Sequence, residues 1–265
     1  MTTTILPTVS VTDEQIEFFK RNGFLALNSI STPEEVEMLR GVYDRLFASK
    51  AGREDGNQFD LAGTDEEGVE AALPQILNPS RYAPEMKDTL ARANALHIAR
   101  QLLGPDVQSA GEHAIFKPAH SGAATPWHQD EAYWNPDFDY RTLSVWVPLQ
   151  EATPENGCMQ FIPGSHLLEV LPHRSIGGDT RVHGLELDTD FDVSNAAICP
   201  LPAGGATFHP SRTLHFTAPN RSDVPRRALI MGFGAPGIPR DDHRIFPWND
   251  NKQTARQERA KAAGK

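Results

Sequence analysis

Residues 204–228 read GGATFHPSRTLHFTAPNRSDVPRRA, and this stretch decides the fold class. It contains two short runs of apolar and β-branched residues, ATFHP and LHFTA, followed by a segment rich in proline, asparagine, serine and aspartate. Short runs separated by such turn-forming residues are typical of β-strands. Residues 219–225 therefore predict a turn between antiparallel strands, which would bring Arg226 back beside the strand that carries His215.

The same pattern extends upstream to about residue 106. Runs rich in valine, isoleucine, threonine and aromatic residues alternate with clusters of glycine, proline, asparagine and aspartate. They include TLSVWVPL (142–149), CMQFIP (158–163) and AICPL (197–201). Regularly spaced short strands with turn signals favour an all-β sandwich or barrel. We therefore expect a mainly β core after about residue 106.

The first third of the sequence predicts helices instead. Thr12 and Thr32 begin TDEQ and TPEE, which are capping boxes at the start of two helical patterns. A third helix is predicted from about Pro84 to Leu103. We therefore expect a single domain over residues 1–265, with flanking N-terminal α-helices packed on one sheet of the β core.

Two segments look less regular than the rest of the chain. Residues 51–72 are acidic and glycine-rich. They predict a mobile loop, and long loops in enzymes often act as lids. Residues 250–265 are locally basic and polar, and they predict a flexible, solvated tail.

Composition excludes several classes of protein. The chain has 265 residues, 39% apolar and 23% charged, which is ordinary for a globular protein with one large core. Its formal charge of −10 makes nucleic acid and anionic membranes poor partners. The N-terminal segment MTTTILPTVSVTDEQ lacks the basic start and apolar run of a signal peptide, so a cytoplasmic location is expected. Cys158 and Cys199 form no CxxC pair, which argues against a thiolate zinc site.

The segment TPWHQDEAYW contains His128 and Asp130, a pair with the H-x-D spacing. Residues two apart in a strand project from the same face, so both side chains could reach one metal ion while Gln129 points away. The pattern alone is weak, because ten histidines and 35 acidic residues give roughly one such match by chance. Its value depends on a third ligand from another strand.

The predicted hairpin offers that ligand. His215 with the His128–Asp130 pair would complete a set of two histidines and one carboxylate, which leaves three positions of an octahedral ion open and is diagnostic of iron(II) oxygenases. Arg226 follows eleven residues later. A dicarboxylate that chelates iron through one end extends its other carboxylate into the protein, where a guanidinium can bind it bidentately. His209 competes with His215 as ligand, and Arg227 competes with Arg226; the hairpin spacing favours His215 and Arg226.

Three segments together resemble the phytanoyl-CoA dioxygenase family of iron(II)/2-oxoglutarate-dependent oxygenases. They are PWHQD (126–130), WVPLQEATPENGCMQFIPGSH (146–166) and FHPSRTLHFTAPNRSDVPRRA (208–228). The resemblance runs over roughly residues 12–235. It implies a double-stranded β-helix, that is, a jelly-roll or cupin-like fold, which agrees with the predicted strands.

The resemblance also implies cofactors and roles for individual residues. His128, Asp130 and His215 would hold Fe(II), and Arg226 would bind the far carboxylate of 2-oxoglutarate, with O2 as the second cosubstrate. Four further residues would line the cosubstrate pocket. These are Thr217, Trp146, His113 and Gln75.

Other polar and aromatic residues admit ordinary structural roles. Trp134 lies just past the predicted ligands and is a candidate substrate wall. The remaining candidates are interpreted as packing or structural residues, with His209 as a neighbour of the metal ligands and Arg227 as a surface ion-pair residue. They are His166, Lys117, Trp127, Tyr133 and Trp248.

The predicted function is hydroxylation, or another oxidation, of an unactivated C–H bond of a small molecule, such as a natural-product intermediate. In related halogenases a small residue replaces the carboxylate ligand, so Asp130 argues against halogenation. The acidic composition, with no obvious basic pocket, mildly disfavours a CoA thioester as substrate. Two alternatives stay open: a cupin-type metalloenzyme that does not use 2-oxoglutarate, and a non-catalytic jelly-roll binding module. A monomer and a homodimer are equally compatible with the sequence.

Overall fold

The computed structural model describes residues 5–264, and within this range the chain forms five α-helices and fifteen β-strands. The helices are α1 (Asp13–Asn22), α2 (Pro33–Ala48), α3 (Leu90–Leu103), α4 (Pro247–Asp250) and α5 (Ala255–Ala262). The strands are β1 (Leu25–Leu27), β2 (Gln58–Asp60), β3 (Pro74–Leu77), β4 (Gln108–Lys117), β5 (Thr125–His128), β6 (Phe138–Asp139), β7 (Thr142–Pro148), β8 (Met159–Phe161), β9 (His173–Ser175), β10 (Leu185–Leu187), β11 (Ala197–Cys199), β12 (Ala206–Pro210), β13 (His215–Thr217), β14 (Arg226–Gly234) and β15 (Ile238–Pro239).

Two antiparallel sheets form the β core. The larger sheet has seven strands in the order β1-β12-β7-β14-β4-β3-β2, and the smaller sheet has four in the order β11-β8-β13-β5. The strand pairs within both sheets are antiparallel, and several join strands distant in sequence, such as β4 with β14 and β5 with β13. This is the jelly-roll architecture that the sequence predicts.

The period-two alternation of the large sheet separates a helix-facing side from an inner side. On β7, Leu143 and Val145 join the cluster of apolar residues that includes the helices, whereas Trp146 belongs to the cluster with the small sheet. On β12, Phe208 faces the helices. Alternation therefore aims every second residue of these strands at the space between the sheets, where a site can form.

The helices cover the outer side of the large sheet. Leu39 and Tyr43 of α2 are fully buried, and α3 packs on β7 and β14. The capping box of Thr12 and Gln15 is confirmed. The Thr32 side chain caps α2 as predicted, but its capping box is not formed, because the Glu35 carboxylate accepts from the amides of Leu90 and Ala91 instead. Burial of large apolar side chains stabilises such packing by about 1.5–3 kcal/mol each.

The predicted start of the third helix is wrong. Residues Pro84–Met86 form a separate 3₁₀ turn, and α3 begins at Leu90. The side chain of Thr89, which accepts from the amide of Arg92, is the true N-cap. A proline at the first helical position and a threonine cap are both start signals, and here they mark two different elements.

The two segments predicted to be irregular lie against each other. Residues 51–72 contain the short strand β2, and α5 packs beside them. Arg259 of α5 donates to the carbonyl of Arg53 at 3.0 Å and forms an ion pair with Asp65. A Cβ atom on Gly56 would lie 2.5 Å from the carbonyl oxygen of Arg256, so the two backbones are in close contact.

The mobility of both segments and the single-domain organisation stay predictions, with residues 1–4 and 265 outside the described part of the chain. In that described part, no helix is long and apolar enough to cross a bilayer.

Candidate active site

Three side chains from two neighbouring strands and a following turn converge between the sheets. His128 ends β5 and His215 begins β13, and the two residues are direct partners in the antiparallel register. Their ring centroids are 4.1 Å apart. Asp130 lies beyond the end of the strand and starts the 3₁₀ helix Asp130–Tyr133, so its position depends on the strand and on this turn together.

The ligand atoms of this cluster are close enough to share one ion. The Oδ1 atom of Asp130 lies 3.7 Å from Nε2 of His128 and 3.5 Å from Nε2 of His215. All three ligand atoms lie within 4.8 Å of one another. Two imidazole nitrogens and one carboxylate oxygen suit a divalent transition metal. The donor set therefore fits the predicted iron(II).

Backbone carbonyls orient both imidazoles. Nδ1 of His128 is 2.8 Å from the carbonyl oxygen of Pro126, and Nδ1 of His215 is 2.8 Å from that of Thr213. A carbonyl can only accept, so each Nδ1 carries the proton and each Nε2 presents its lone pair to the cluster.

The electrostatics of the cluster favour the ligand forms of its members. Burial disfavours the charged carboxylate of Asp130, but its pKa is held well below the ordinary value by His215, His128 and His209 when their ring nitrogens facing it carry protons, which a bound cation would replace. Burial, with His128 beside it, lowers the pKa of His215 well below that of a free histidine. An ionised carboxylate and a neutral imidazole are the forms that bind a metal.

His209 and Ser144 lie beside the carboxylate and outside the ligand cluster. The Ser144 hydroxyl donates to Oδ2 of Asp130 at 2.6 Å, and Nε2 of His209 lies 3.5 Å from the same oxygen. Neither ring nitrogen of His209 has a hydrogen-bond partner among the described residues. Sequence reasoning missed Ser144, although it lies two residues before Trp146 on β7 and therefore on the same face.

Arg226 lies in the same cavity as a buried and largely unpaired cation. The residue is 1% exposed, and its Nε and Nη1 atoms have no partner among the described residues. The guanidinium carbon lies 5.3 Å from the ring centroid of Trp146. Burial lowers the pKa of Arg226 to about 10, so the group stays charged at neutral pH. A buried unpaired charge is costly, and a carboxylate of a bound ligand would pair it.

Lys117 and Thr217 form a supporting contact next to this arginine. The Lys117 ammonium donates to Oγ1 of Thr217 at 3.0 Å and to the carbonyl of Ala218 at 2.7 Å. Burial and the nearby Arg226 lower the pKa of Lys117 well below its usual value. Lys117 is thus a structural residue, as interpreted from the sequence.

A cavity of about 640 Å³ joins these groups. This volume falls within the ~300–1,000 Å³ typical of small-molecule sites. His113 is open to the cavity yet enclosed by protein, and burial lowers its pKa. The cavity brings together every residue that the sequence assigned to ion, cosubstrate or substrate. These are His128, Asp130, His215, Arg226, Thr217, Trp146, His113, Gln75 and Trp134.

Most of the other candidate residues named from the sequence lie outside the cavity or make structural contacts. Arg227 points away from the cavity and donates to Oδ1 of Asp44 at 2.7 Å, which confirms the surface ion pair. Nε2 of His166 lies 3.1 Å from the carbonyl oxygen of Lys20. Trp127 stacks on Phe216. Tyr133 differs from the expectation, since it lines the cavity.

The C-terminal part of the chain forms a wall of the cavity that the sequence did not predict. This wall contains Lys252 and Arg256, two cations, so the expected lack of a basic pocket is wrong. Tyr133 and His183 lie next to them. The basic composition of residues 250–265 was visible in the sequence, but nothing local showed which surface these residues contact.

Residues 19–228 match the phytanoyl-CoA dioxygenase family, PhyH. The chain belongs to this family. Among its relatives is a probable alpha-ketoglutarate-dependent hypophosphite dioxygenase of Stutzerimonas stutzeri, 28% identical over 228 residues, which cover 84% of this chain and 78% of the relative.

Solved structures agree with the family assignment. The structure of EvdO2 from Micromonospora carbonacea var. aurantiaca, complexed with 2-oxoglutarate, is 36% identical, with a TM-score of 0.78 over 93% of this chain and 99% of that one. The alpha-ketoglutarate-dependent carbocyclase SnoK from nogalamycin biosynthesis shares the fold at 20% identity, with a TM-score of 0.69 over 89% and 97%. Family membership confirms the predicted class, an iron(II)- and 2-oxoglutarate-dependent dioxygenase, over the two alternatives.

Proposed function

We propose that the chain oxidises an unactivated C–H bond of a small molecule, by hydroxylation or by a related outcome such as desaturation or ring closure. The observation that carries this proposal is the shared cavity of the ion-ligand cluster and the unpaired Arg226 guanidinium. A dicarboxylate that chelates a metal with one end needs a cation for the other end. 2-Oxoglutarate is such a dicarboxylate.

His128, Asp130 and His215 are the proposed iron ligands. When bound, iron(II) with 2-oxoglutarate and O2 supplies the oxidising chemistry, and the protein supplies ligands, orientation and exclusion of water. The backbone carbonyls behind both imidazoles fix their rings. The hydroxyl of Ser144 fixes one carboxylate oxygen of Asp130 and leaves the other facing the two imidazoles.

Arg226 is the proposed partner of the far carboxylate of 2-oxoglutarate, with Trp146, His113 and Gln75 lining the pocket. Thr217 has a more limited role in this proposal. Its hydroxyl already donates to Oγ1 of Thr125 at 3.0 Å and accepts from Lys117. A hydroxyl has one proton, so Thr217 would donate to the cosubstrate only by releasing Thr125.

Trp134 is the proposed substrate wall. Its ring lines the cavity and packs edge-on against Tyr140, with centroids 4.8 Å apart. We favour a natural-product intermediate as substrate, which a shared fold alone does not establish. Succinate release measured across compound classes tests this choice.

Binding of 2-oxoglutarate gives the direct test of the cosubstrate site. Anaerobic protein loaded with iron(II) should develop a visible charge-transfer band when 2-oxoglutarate is added. Arg226→Ala should need much more 2-oxoglutarate to develop the band, whereas Arg227→Ala, with its side chain outside the cavity, should behave as wild type. Absence of the band in folded, iron-loaded wild-type protein would refute the proposed site.

The partner and location predictions extend this proposal. A small-molecule substrate, without nucleic acid or membrane as partner, a cytoplasmic location, and either a monomer or a homodimer are expected. Cell fractionation and light scattering of the purified protein check these expectations.

A further inference from the structure

Two cations lie at the end of the cavity formed by the C-terminal segment. The Lys252 ammonium donates to the carbonyl of His183 at 2.8 Å and lies 4.8 Å from the ring centroid of Tyr133. The guanidinium carbon of Arg256 lies 5.1 Å from the ring centroid of Phe59. Both side chains are half-buried and line the cavity. We call Lys252 and Arg256 the cationic pair.

Neither member of the cationic pair has a carboxylate partner within 4.0 Å among residues 5–264. The Nε atom of Arg256 is buried and has no hydrogen-bond partner in that range. By contrast, Arg259, one turn further along α5, pairs with Asp65. Two neighbouring half-buried cations without a counter-charge are unfavourable unless a ligand supplies it.

The pKa of Lys252 reflects the same positively charged surroundings. Burial, with Arg256 as a like charge, lowers the pKa of Lys252 to about 8. An anion beside the ammonium would oppose both effects. The geometry is independent of this shift.

The cationic pair lies close to the ion-ligand cluster and apart from the proposed cosubstrate partner. The ring of Tyr133 is 6.3 Å from that of His128 on one side and contacts Lys252 on the other. Arg226 instead lies over Trp146 and beside Lys117. A molecule bound through an anionic group at the cationic pair would therefore extend along Tyr133 toward the metal ligands.

We propose that Lys252 and Arg256 form an anion-binding subsite that takes a carboxylate, phosphate or sulfate group of the oxidised substrate. This inference rests on the proposed function, because it assigns one end of the cavity to 2-oxoglutarate and the other end to substrate. It adds the chemical class of a substrate group to the reaction class.

The test uses anaerobic protein saturated with iron(II) and 2-oxoglutarate, so that Arg226 is occupied and no turnover occurs. Calorimetric titrations measure the affinity of phenyl phosphate, phenyl sulfate, benzoate and, as a neutral probe, benzyl alcohol. We expect the anions to bind and the alcohol to bind more weakly. The double variant Lys252→Met/Arg256→Gln should weaken anion binding by about tenfold or more. The order of the three anions identifies the group that fits the subsite.

Two matched variants separate a binding role from a structural role. Arg21→Gln/Lys87→Met removes two exposed cations that do not line the cavity and should keep wild-type anion affinity. Lys252→Arg/Arg256→Lys keeps both charges and should retain most of the affinity. Thermal unfolding of each variant shows whether the fold survives.

Several outcomes would overturn the subsite. One is an unchanged anion affinity in Lys252→Met/Arg256→Gln, and another is an equal loss of anion affinity in the charge-keeping variant Lys252→Arg/Arg256→Lys. A weaker 2-oxoglutarate band in Lys252→Met/Arg256→Gln, or failure of all three anions to bind the wild-type protein, would also overturn it. The 2-oxoglutarate band separates this inference from the proposed function. A wild-type protein that forms the band but binds no anion contradicts the subsite alone, whereas a missing band contradicts the proposed function.

Discussion

The two ends of the cavity both present cations without protein counter-charges, but different parts of the fold build them. Arg226 lies at the start of β14, which pairs with β4 and β7 along most of its length. Lys252 and Arg256 lie on a segment with short helices that pairs with neither sheet. A position in a paired strand is fixed by many backbone hydrogen bonds, whereas a position on a short helix depends on a few side-chain contacts. The end assigned to the cosubstrate is therefore the more firmly built.

The largest effect that we expect is loss of the metal from the ion-ligand cluster, which lies between the two ends of the cavity. His215→Ala removes one of three ligands, and we expect metal affinity to fall by more than about 100-fold, since even groups that only orient ligands contribute 10–100-fold. Metal content after dialysis measures this.

His209→Ala is the informative companion variant, because its ring lies beside Asp130 without belonging to the cluster. We expect it to retain metal with a smaller loss of affinity. If His209→Ala lost its metal as completely as His215→Ala, the choice of third ligand would be wrong.

The two adjacent arginines of β14, Arg226 and Arg227, test the end of the cavity that is assigned to the cosubstrate. Arg226→Ala should weaken 2-oxoglutarate binding by at least about 30-fold, because truncating one partner of a buried charge pair costs about 2–5 kcal/mol. Arg227→Ala should change it little, since that side chain pairs with Asp44 outside the cavity. Titration of the charge-transfer band measures both. Equal losses in the two variants would contradict the assigned strand faces.

The unpaired state of Arg226 predicts an opposite effect on stability. Arg226→Met should raise the free energy of unfolding of the ligand-free protein by about 1 kcal/mol, because it replaces a buried, unsatisfied cation with an apolar side chain. 2-Oxoglutarate with metal should then raise the melting temperature of wild type more than that of the variant. Denaturant unfolding with and without ligands checks both expectations, and a less stable ligand-free variant would contradict them.

The end of the cavity with Lys252 and Arg256 is tested at the contact between α5 and residues 51–72. Gly56 has a φ of +71°, and a Cβ there would lie 2.5 Å from the carbonyl of Arg256. Gly56→Ala should therefore cost about 1–2 kcal/mol in left-handed backbone strain and displace α5. Faster hydrogen exchange in α5 and weaker anion binding would follow.

Gly122→Ala is the control for this smallest effect. A Cβ atom on Gly122 would meet no atom within 4 Å outside its immediate chain neighbours, and the φ of this residue is not left-handed. The variant should unfold and exchange as wild type. Unchanged exchange in Gly56→Ala would show that α5 does not depend on this contact.

The same difference between the two ends explains what could be predicted from the sequence. His215, Arg226 and the turn between them lie within twelve consecutive positions, so strand periodicity and turn chemistry placed them. Asp130 was correctly predicted to lie beside His128, but the argument from strand periodicity was partly wrong, because Asp130 lies in a 3₁₀ turn and not in the strand.

Lys252 and Arg256 could not be placed in this way. The residues that they contact, Tyr133, His183 and Phe59, lie from 69 to about 200 positions away in the chain. Local patterns carry no information on such contacts, so the segment was interpreted as a solvated tail. The start of α3 was predicted at the wrong residue because Pro84 and Thr89 both give valid start signals.

The close contact of α5 with residues 51–65 has a consequence for changing what the enzyme accepts. Residues 249–257 supply one wall of the cavity without contributing a strand to either sheet or a ligand to the ion cluster. Residues 249–257 can therefore be varied without replacing a strand of either sheet or a ligand of the ion cluster. Substitutions confined to this wall are therefore expected to change the substrate range before they change the oxidative chemistry.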